Sequence, residues 1–149
     1  MNKEYYEGTI PWLKTGDLND GFITKISENI SELALRETSV KLNPKGSVLI
    51  AMYGATIGKV GILTYPATTN QACCACITNS SINNLYLHYL LLSKRNYFVS
   101  LGGGGAQSNI SKEKIINTRI MLPPLTEQQR ILCKIDDIFK VVDKISEAL

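Results

Sequence analysis

The sequence has a single histidine, His88, set in an apolar stretch with no serine or cysteine partner suggested nearby. Neither a nucleophile–histidine pair nor a histidine-rich metal site is indicated. No glycine-rich dinucleotide fingerprint follows a predicted strand. No apolar run reaches the roughly 18 residues of a membrane helix. The opening Met1-Asn2-Lys3-Glu4-Tyr5-Tyr6-Glu7 lacks the apolar core of a signal peptide, so the expectation is a cytoplasmic protein with no membrane partner. Charged residues make up only 19% against 44% hydrophobic, which fits a folded domain of ordinary size. Internal repeats are absent, and the one low-complexity element is the tetraglycine Gly102–Gly105.

Two further patterns stop short of chemistry. Gly54-Ala55-Thr56-Ile57-Gly58-Lys59-Val60 has three residues between its glycines where a phosphate-binding P-loop needs four, and valine where a Ser or Thr must reach magnesium. A hairpin connection is the better reading, although a glycine-rich backbone still permits close approach to a DNA phosphate, with Lys59 adding charge. Cys73, Cys74 and Cys76 lack a second ligand pair, and adjacent residues of a strand point to opposite faces. Buried thiols in a reducing compartment account for them, so no metal is expected. Leu122-Pro123-Pro124-Leu125 differs at both outer positions from the Asn/Asp-Pro-Pro-aromatic motif of amino-methyltransferases. No catalytic residues are assigned.

What the sequence does contain is a change of character at that double proline. Each proline fixes its own φ and restricts the residue before it, making a stiff extended joint. Thr126 with Gln129 has the form of a capping box opening a helix. Ile131, Ile135, Ile138, Val142, Ile145 and Leu149 then repeat at spacings of 4, 3, 4, 3 and 4, a heptad seam that asks for a neighbouring helix. Leu132 and Phe139 widen the seam on one side. Such a helix either lies on its own domain or projects to meet a partner; the joint favours projection.

The expected fold class is α+β: a compact domain over 1–122 with a small twisted sheet and flanking helices, then a long coiled-coil-type helix over 123–149. Strands are predicted at Val48–Met52, Val60–Thr64, Ala72–Thr78 and Thr118–Leu122, with Ile10–Leu13 extended. Helices are predicted at Glu28–Arg36, Leu85–Tyr97 with Asn83 or Asn84 as cap, and Ser111–Asn117 with Ser111 as cap. Basic and acidic residues balance at 7 and 7 over residues 1–72 and stand at 4 and 5 over 126–149, but at 5 and 1 over 73–125. That local excess, Lys94, Arg95, Lys112, Lys114 and Arg119, suits phosphate and equally suits a solvated surface.

Several separated motifs occur in a familiar order: Ile10-Pro11-Trp12-Leu13-Lys14-Thr15-Gly16-Asp17-Leu18, Gly46–Ile50 with Tyr53–Gly61, Asn70-Gln71-Ala72, and Gln107–Arg130. Together they make the chain resemble a target recognition domain plus conserved helix of a type I restriction-modification specificity subunit. Members usually carry two such domains and two spacer helices; this sequence has one of each. The resemblance implies a non-catalytic DNA-recognition module that binds half of a split double-stranded target and docks modification subunits through its helix. A restriction subunit would join indirectly. S-adenosylmethionine and ATP are then expected on those partners, with no cofactor bound by this chain. Two copies pairing through their helices would restore the tandem symmetry. The alternatives are an oligomerisation or adaptor module that does not bind DNA, or an inactive remnant of a longer specificity gene.

Amide, hydroxyl and basic side chains beside flexible backbone are the expected DNA contacts. They are Lys14, Thr15, Lys59, Asn70, Gln71, Gly104, Gln107, Ser108, Asn109, Lys112 and Arg119. Asn70 and Asn109 serve equally well as turn formers. Gln107, Ser108, Lys112 and Arg119 stand out because flexibility and positive charge meet there.

Overall fold

The computed structural model describes residues 2–102 and 108–148. Among these residues seven strands form two sheets rather than the one expected. Strands β1 (Ile10–Leu13), β3 (Asn29–Ile30) and β6 (Thr68–Thr69) make a three-stranded sheet with β1 central, antiparallel to β3 and parallel to β6. Strands β2 (Phe22–Ile23), β4 (Val48–Ala51), β5 (Val60–Leu63) and β7 (Cys73–Cys76) make the second, in the order β2-β5-β4-β7.

The second sheet is buried on both faces, which explains why β4 and β5 read as unbroken apolar runs instead of alternating ones. Val48, Ile50, Val60, Ile62 and Cys74 face one core, closed by Leu87, Leu91, Phe98, Ile110 and Ile115. Leu49, Ala51, Leu63 and Cys73 face the other, with Leu13, Leu18, Ile23 and Ala67. Cys73 and Cys74 thus occupy opposite faces, as strand geometry requires, and all four cysteines are free. Gly61 answers a packing need: a Cβ there would lie 2.8 Å from Ile23 Cδ1.

Five α-helices complete the described residues: α1 (Glu32–Glu37), α2 (Asn84–Ser93), α3 (Arg95–Leu101), α4 (Lys112–Ile116) and α5 (Leu125–Glu147). Ser31, Asn83 and Ser111 cap α1, α2 and α4 by accepting backbone N–H bonds, the satisfaction of orphan donors that these residue types provide. The expected helix from Glu28 is shorter, because Asn29–Ile30 pairs with β1 instead. The expected helix Leu85–Tyr97 is divided at Lys94, whose N–H donates to the Leu91 and Leu92 carbonyls and which also caps the start of α3. The turn sends Phe98 into full burial.

Two expectations at the joint are corrected. Residues 118–122 form no strand; the segment passes α2 without a ladder partner and is held by the Tyr86 hydroxyl donating to the Met121 carbonyl at 3.0 Å. Nor does the Thr126–Gln129 capping box form. Leu125 already begins α5, Pro124 occupies the cap position with φ −54°, and the Gln129 amide lies against Cys133. The neighbouring glutamine closes the joint instead. Gln128 is fully buried; its Oε1 accepts the Asn83 N–H at 2.8 Å, and its Nε2 donates to the carbonyls of Ser81 at 3.0 Å and Pro123 at 2.8 Å.

Helix α5 spans roughly 35 Å at 1.5 Å per residue. Its first half lies on its own domain, with Gln128 and Leu132 buried and Ile131 and Ile135 half-buried; Tyr89 of α2 stacks on Phe139 at 6.3 Å. From Ile138 onward the apolar stripe is open to solvent, with Ile138, Val142 and Ile145 between 49% and 62% exposed. Leu149 lies outside the described residues. The helix is therefore packed on its own domain over its first half and exposed along its apolar stripe over its second.

Replacing Gln128 with Leu removes all three of these bonds from a buried site and is expected to cost about 3 kcal/mol. Gln128→Glu should cost more at neutral pH, since a carboxylate would face the Ser81 and Pro123 carbonyls; urea denaturation measures both.

Candidate nucleic-acid interface

A groove of about 360 Å³ opens beside the end of β1 and the β6–β7 connection, and it gathers three of the predicted residues: Asn70, Gln71 and Lys112. Trp12, Ser39, Lys41, Asn43 and Thr69 also line it, with Cys73 and Cys74 toward its floor. Its polar groups are placed by ordinary backbone logic. The Asn70 N–H donates to the Leu13 carbonyl at 3.0 Å, while Asn70 Oδ1 accepts the Ala72 N–H at 3.2 Å, an Asx turn that fixes the corner. Asn43 is held by Nδ2 donating to the Ala67 carbonyl at 3.2 Å. Gln71 is exposed at that corner, so its amide carries both a donor and an acceptor into the groove, the pair needed for bidentate contact with adenine.

Lys41 and Lys112 bring positive charge to this groove. Both are exposed, and neither ammonium has a carboxylate partner among the described residues. The field of Lys112 reaches the floor. The Cys74 thiol is lowered to about 7, chiefly by a hydrogen bond from Cys76 and also by the Lys112 charge. Cys73, on the opposite face of the strand, is instead pushed up to about 12 by burial.

The remaining predicted residues fall elsewhere. Lys14 is neutralised: its ammonium pairs with Glu28 and sits 5.0 Å from the Trp12 ring centroid. Thr15 opens a short 3-10 turn whose Asp17 carboxylate accepts the Lys14 N–H at 2.8 Å. Ser108 and Asn109 line the β4–β5 hairpin rather than the groove. The Ser108 carbonyl accepts the Gly54 N–H at 2.8 Å, and Asn109 bridges to Tyr53. Lys59 ends the same hairpin connection, its carbonyl accepting the Ala51 N–H at 2.9 Å. Arg119 lines a separate depression with Lys94, Tyr97, Asn117 and Thr118. Gly104 and Gln107 lie outside the described residues.

The basic excess over residues 73–125 is thus unequal in use. Arg95 is engaged internally: its guanidinium pairs with Asp20, and its Nε donates to the Gly58 carbonyl at 3.2 Å. Asp20 is the hub of this clasp. It adopts φ 63°, exchanges bonds with Val60 through its N–H at 2.9 Å and its Oδ1 at 3.0 Å, and presents its carbonyl to His88 Nε2 at 3.0 Å. Gly58, at φ 78°, leaves no room for a side chain, since a Cβ would meet Arg95 Cγ at 3.0 Å. The clasp fixes the hairpin that carries Lys59. Because a carbonyl only accepts, His88 carries its proton on Nε2, and its buried Nδ1 finds no partner among the described residues. Burial accordingly lowers its pKa below 6.5, against an opposing pull from Asp20.

Trp12, Lys41, Asn43 and Lys94 were not singled out from the sequence as contacts. Lys41 and Asn43 precede β4 in a segment without periodicity, and no sequence signal marked them. Among the described residues no group of three His, Cys, Asp or Glu side chains could hold a metal ion, and no helix is long and apolar enough to cross a membrane.

A two-sheet α+β domain followed by a long terminal helix is the fold of solved specificity-subunit structures. The fold matches a crystal structure of the HsdS subunit from Thermoanaerobacter tengcongensis with TM-score 0.75 at 23% identity, over 93% of this chain and 32% of that one. It matches the S subunit from M. genitalium with TM-score 0.63 at 17% identity, over 99% and 36%. By sequence, the chain is 33% identical to the MjaIX specificity subunit of Methanocaldococcus jannaschii over 99% of its length and 36% of that protein's. It is 28% identical to the EcoR124I/EcoR124II specificity subunit of Escherichia coli, over 98% and 38%. Residues 2–149 match the family profile of the type I restriction modification DNA specificity domain, and the chain belongs to that family. The family is a recognition component rather than a catalytic one. The chain spans little more than a third of the length of these curated relatives.

The clasp carries a pH signature. Since His88 is held neutral in the folded state, the unfolded chain binds the extra proton first, and stability falls as pH drops through about 6.5 toward the lowered folded value. His88→Gln, which keeps a donor for the Asp20 carbonyl, should flatten that loss between pH 7.5 and 5.5 in urea titrations.

Proposed function

We propose that the chain is a non-catalytic DNA-recognition module of a type I restriction-modification system, with residues 1–122 reading one half of a split target and residues 123–149 acting as spacer and docking helix. The convergence of the Asn70 and Gln71 amides with the unpaired Lys41 and Lys112 ammonium groups on one groove supports this reading most strongly. Amide edges discriminate base pairs, and cations hold the flanking phosphates. Catalysis and cofactors belong to partners on this reading: modification subunits with S-adenosylmethionine transfer the methyl group, and a restriction subunit uses ATP. Both act in the cytoplasm.

The exposed second half of α5 supports the assembly role. Ile138, Val142 and Ile145 present an apolar stripe that water would otherwise cover, and an antiparallel partner helix from a second copy would bury it on both protomers alike. Docked modification subunits would then sit symmetrically about the pair.

Purified with its neighbouring modification subunit, the chain should select a consensus half-site from a random duplex pool, and Gln71→Ala should relax the preference at one position by about 1–3 kcal/mol. An unselective pool would refute base reading in this groove. Val142→Asp with Ile145→Asp should convert a dimer to a monomer in sedimentation without lowering thermal stability of the domain; a wild-type monomer at high concentration would refute helix pairing.

A further inference from the structure

A charge feature not absorbed by the groove is the depression of about 340 Å³ lined by Lys94, Tyr97, Asn117, Thr118 and Arg119. It is assembled from two places in the chain: Lys94 at the corner between α2 and α3, and the three residues that follow α4. Tertiary structure, not sequence adjacency, brings the two cations together. Arg119 is exposed and has neither an ion pair nor a hydrogen bond among the described residues. Lys94 is half-buried, and its ammonium stands 5.6 Å from the Tyr97 ring centroid, which braces it without neutralising it. The Thr118 hydroxyl is committed to the Lys114 carbonyl at 2.8 Å. Donors on the open side come from Arg119, Lys94, the Asn117 amide and the Tyr97 hydroxyl. A carboxylate, Glu113, lines the adjoining depression with Tyr97 and Asn117.

Two cations dominate this set: Asn117 and Tyr97 can accept as well as donate, but no carboxylate lines the depression, and it holds one amide where the groove holds Asn70 and Gln71 together. A planar guanidinium beside an ammonium matches phosphate oxygens, which take bidentate and point-charge contacts together. We propose that this depression is a second, sequence-independent anchor that grips a phosphate of the DNA backbone, separate from the groove that reads bases. The inference rests on the DNA-recognition reading above. The basic residues then have separate roles, with Lys41 and Lys112 serving the reading groove while Lys94 and Arg119 set affinity and orientation on the duplex.

The test is binding of the full chain to a duplex that carries the selected half-site and to one that does not, by fluorescence anisotropy between 50 and 200 mM salt. Neutralising one phosphate contact changes the log–log salt slope by about 0.9, so removing both cations of this single-phosphate anchor in Lys94→Ala with Arg119→Ala should lower its magnitude by about 0.9 on both duplexes. The ratio of affinities for the two duplexes should stay unchanged. Arg119→Ala alone, at an exposed position, should remove about half of that slope change with native circular dichroism and melting. Arg119→Lys should restore most of it. An unchanged slope in both alanine variants, with the wild type still binding, would overturn the anchor and leave the recognition reading standing. A fall in the affinity ratio would overturn it too, by making these residues base readers. Wild-type chain that binds neither duplex would defeat the recognition reading itself and the anchor with it.

Discussion

The amide of Gln128 is the interaction on which the two halves of this molecule depend. A fully buried primary amide must satisfy donors and acceptor together, and here it does so with three backbone groups from different segments: Asn83 at the head of α2, Ser81 before it, and Pro123 in the double proline. With one N–H against two carbonyls, those groups cannot all satisfy one another across the joint. The loop before α2 offers an N–H and a C=O, and the prolines supply no N–H. One side chain closes the set. The direction in which α5 leaves the domain is thereby tied to α2, which in turn lies on the buried sheet.

From that joint the helix has two environments. Its first half is bound by Leu132 and the Tyr89–Phe139 stack, and its second half carries an equally apolar stripe into solvent. A helix that needed only to finish the core would stop after Phe139. The heptads continue instead, at a cost in exposed apolar surface that the proposed partner helix would relieve. The sheet with two covered faces holds both the hairpin clasp and the groove at fixed positions. The polar groups near the groove are accordingly held by backbone bonds rather than by each other.

Much of this organisation was legible in the residues. β-branched and aliphatic runs bracketed by glycine marked β4 and β5, Asn83 and Ser111 announced their helices as caps, and the change at Pro123–Pro124 marked the joint. The failures have a common origin. Thr118–Leu122 has strand-like residues, but no free edge of either sheet takes it, so it remains an unpaired extended segment fixed by Tyr86. Thr126 and Gln129 have the spacing of a capping box, yet the cap falls two residues earlier, at Pro124, and the buried position falls to Gln128. Leu85–Tyr97 is continuous in hydrophobicity, but Arg95 is drawn to Asp20 and Phe98 to the core, which breaks the helix at Lys94. In each case a local preference yielded to a long-range partner that sequence spacing does not reveal.

The same division runs through the candidate interface. Residue order alone was enough to show which side-chain types were available, that the excess charge lay in residues 73–125, that the chain belonged with DNA specificity domains, and that the terminal helix was amphipathic. Which of those side chains act together was left to folding. Arg95 went to Asp20 and Lys14 to Glu28, Lys112 came to lie beside Asn70 and Gln71, and Arg119 moved away to join Lys94. Periodicity and local propensity act over a few residues, so they persist in any fold the chain adopts. Charge pairing and groove formation act between residues dozens of positions apart, and those exist only once both faces of the central sheet have been covered.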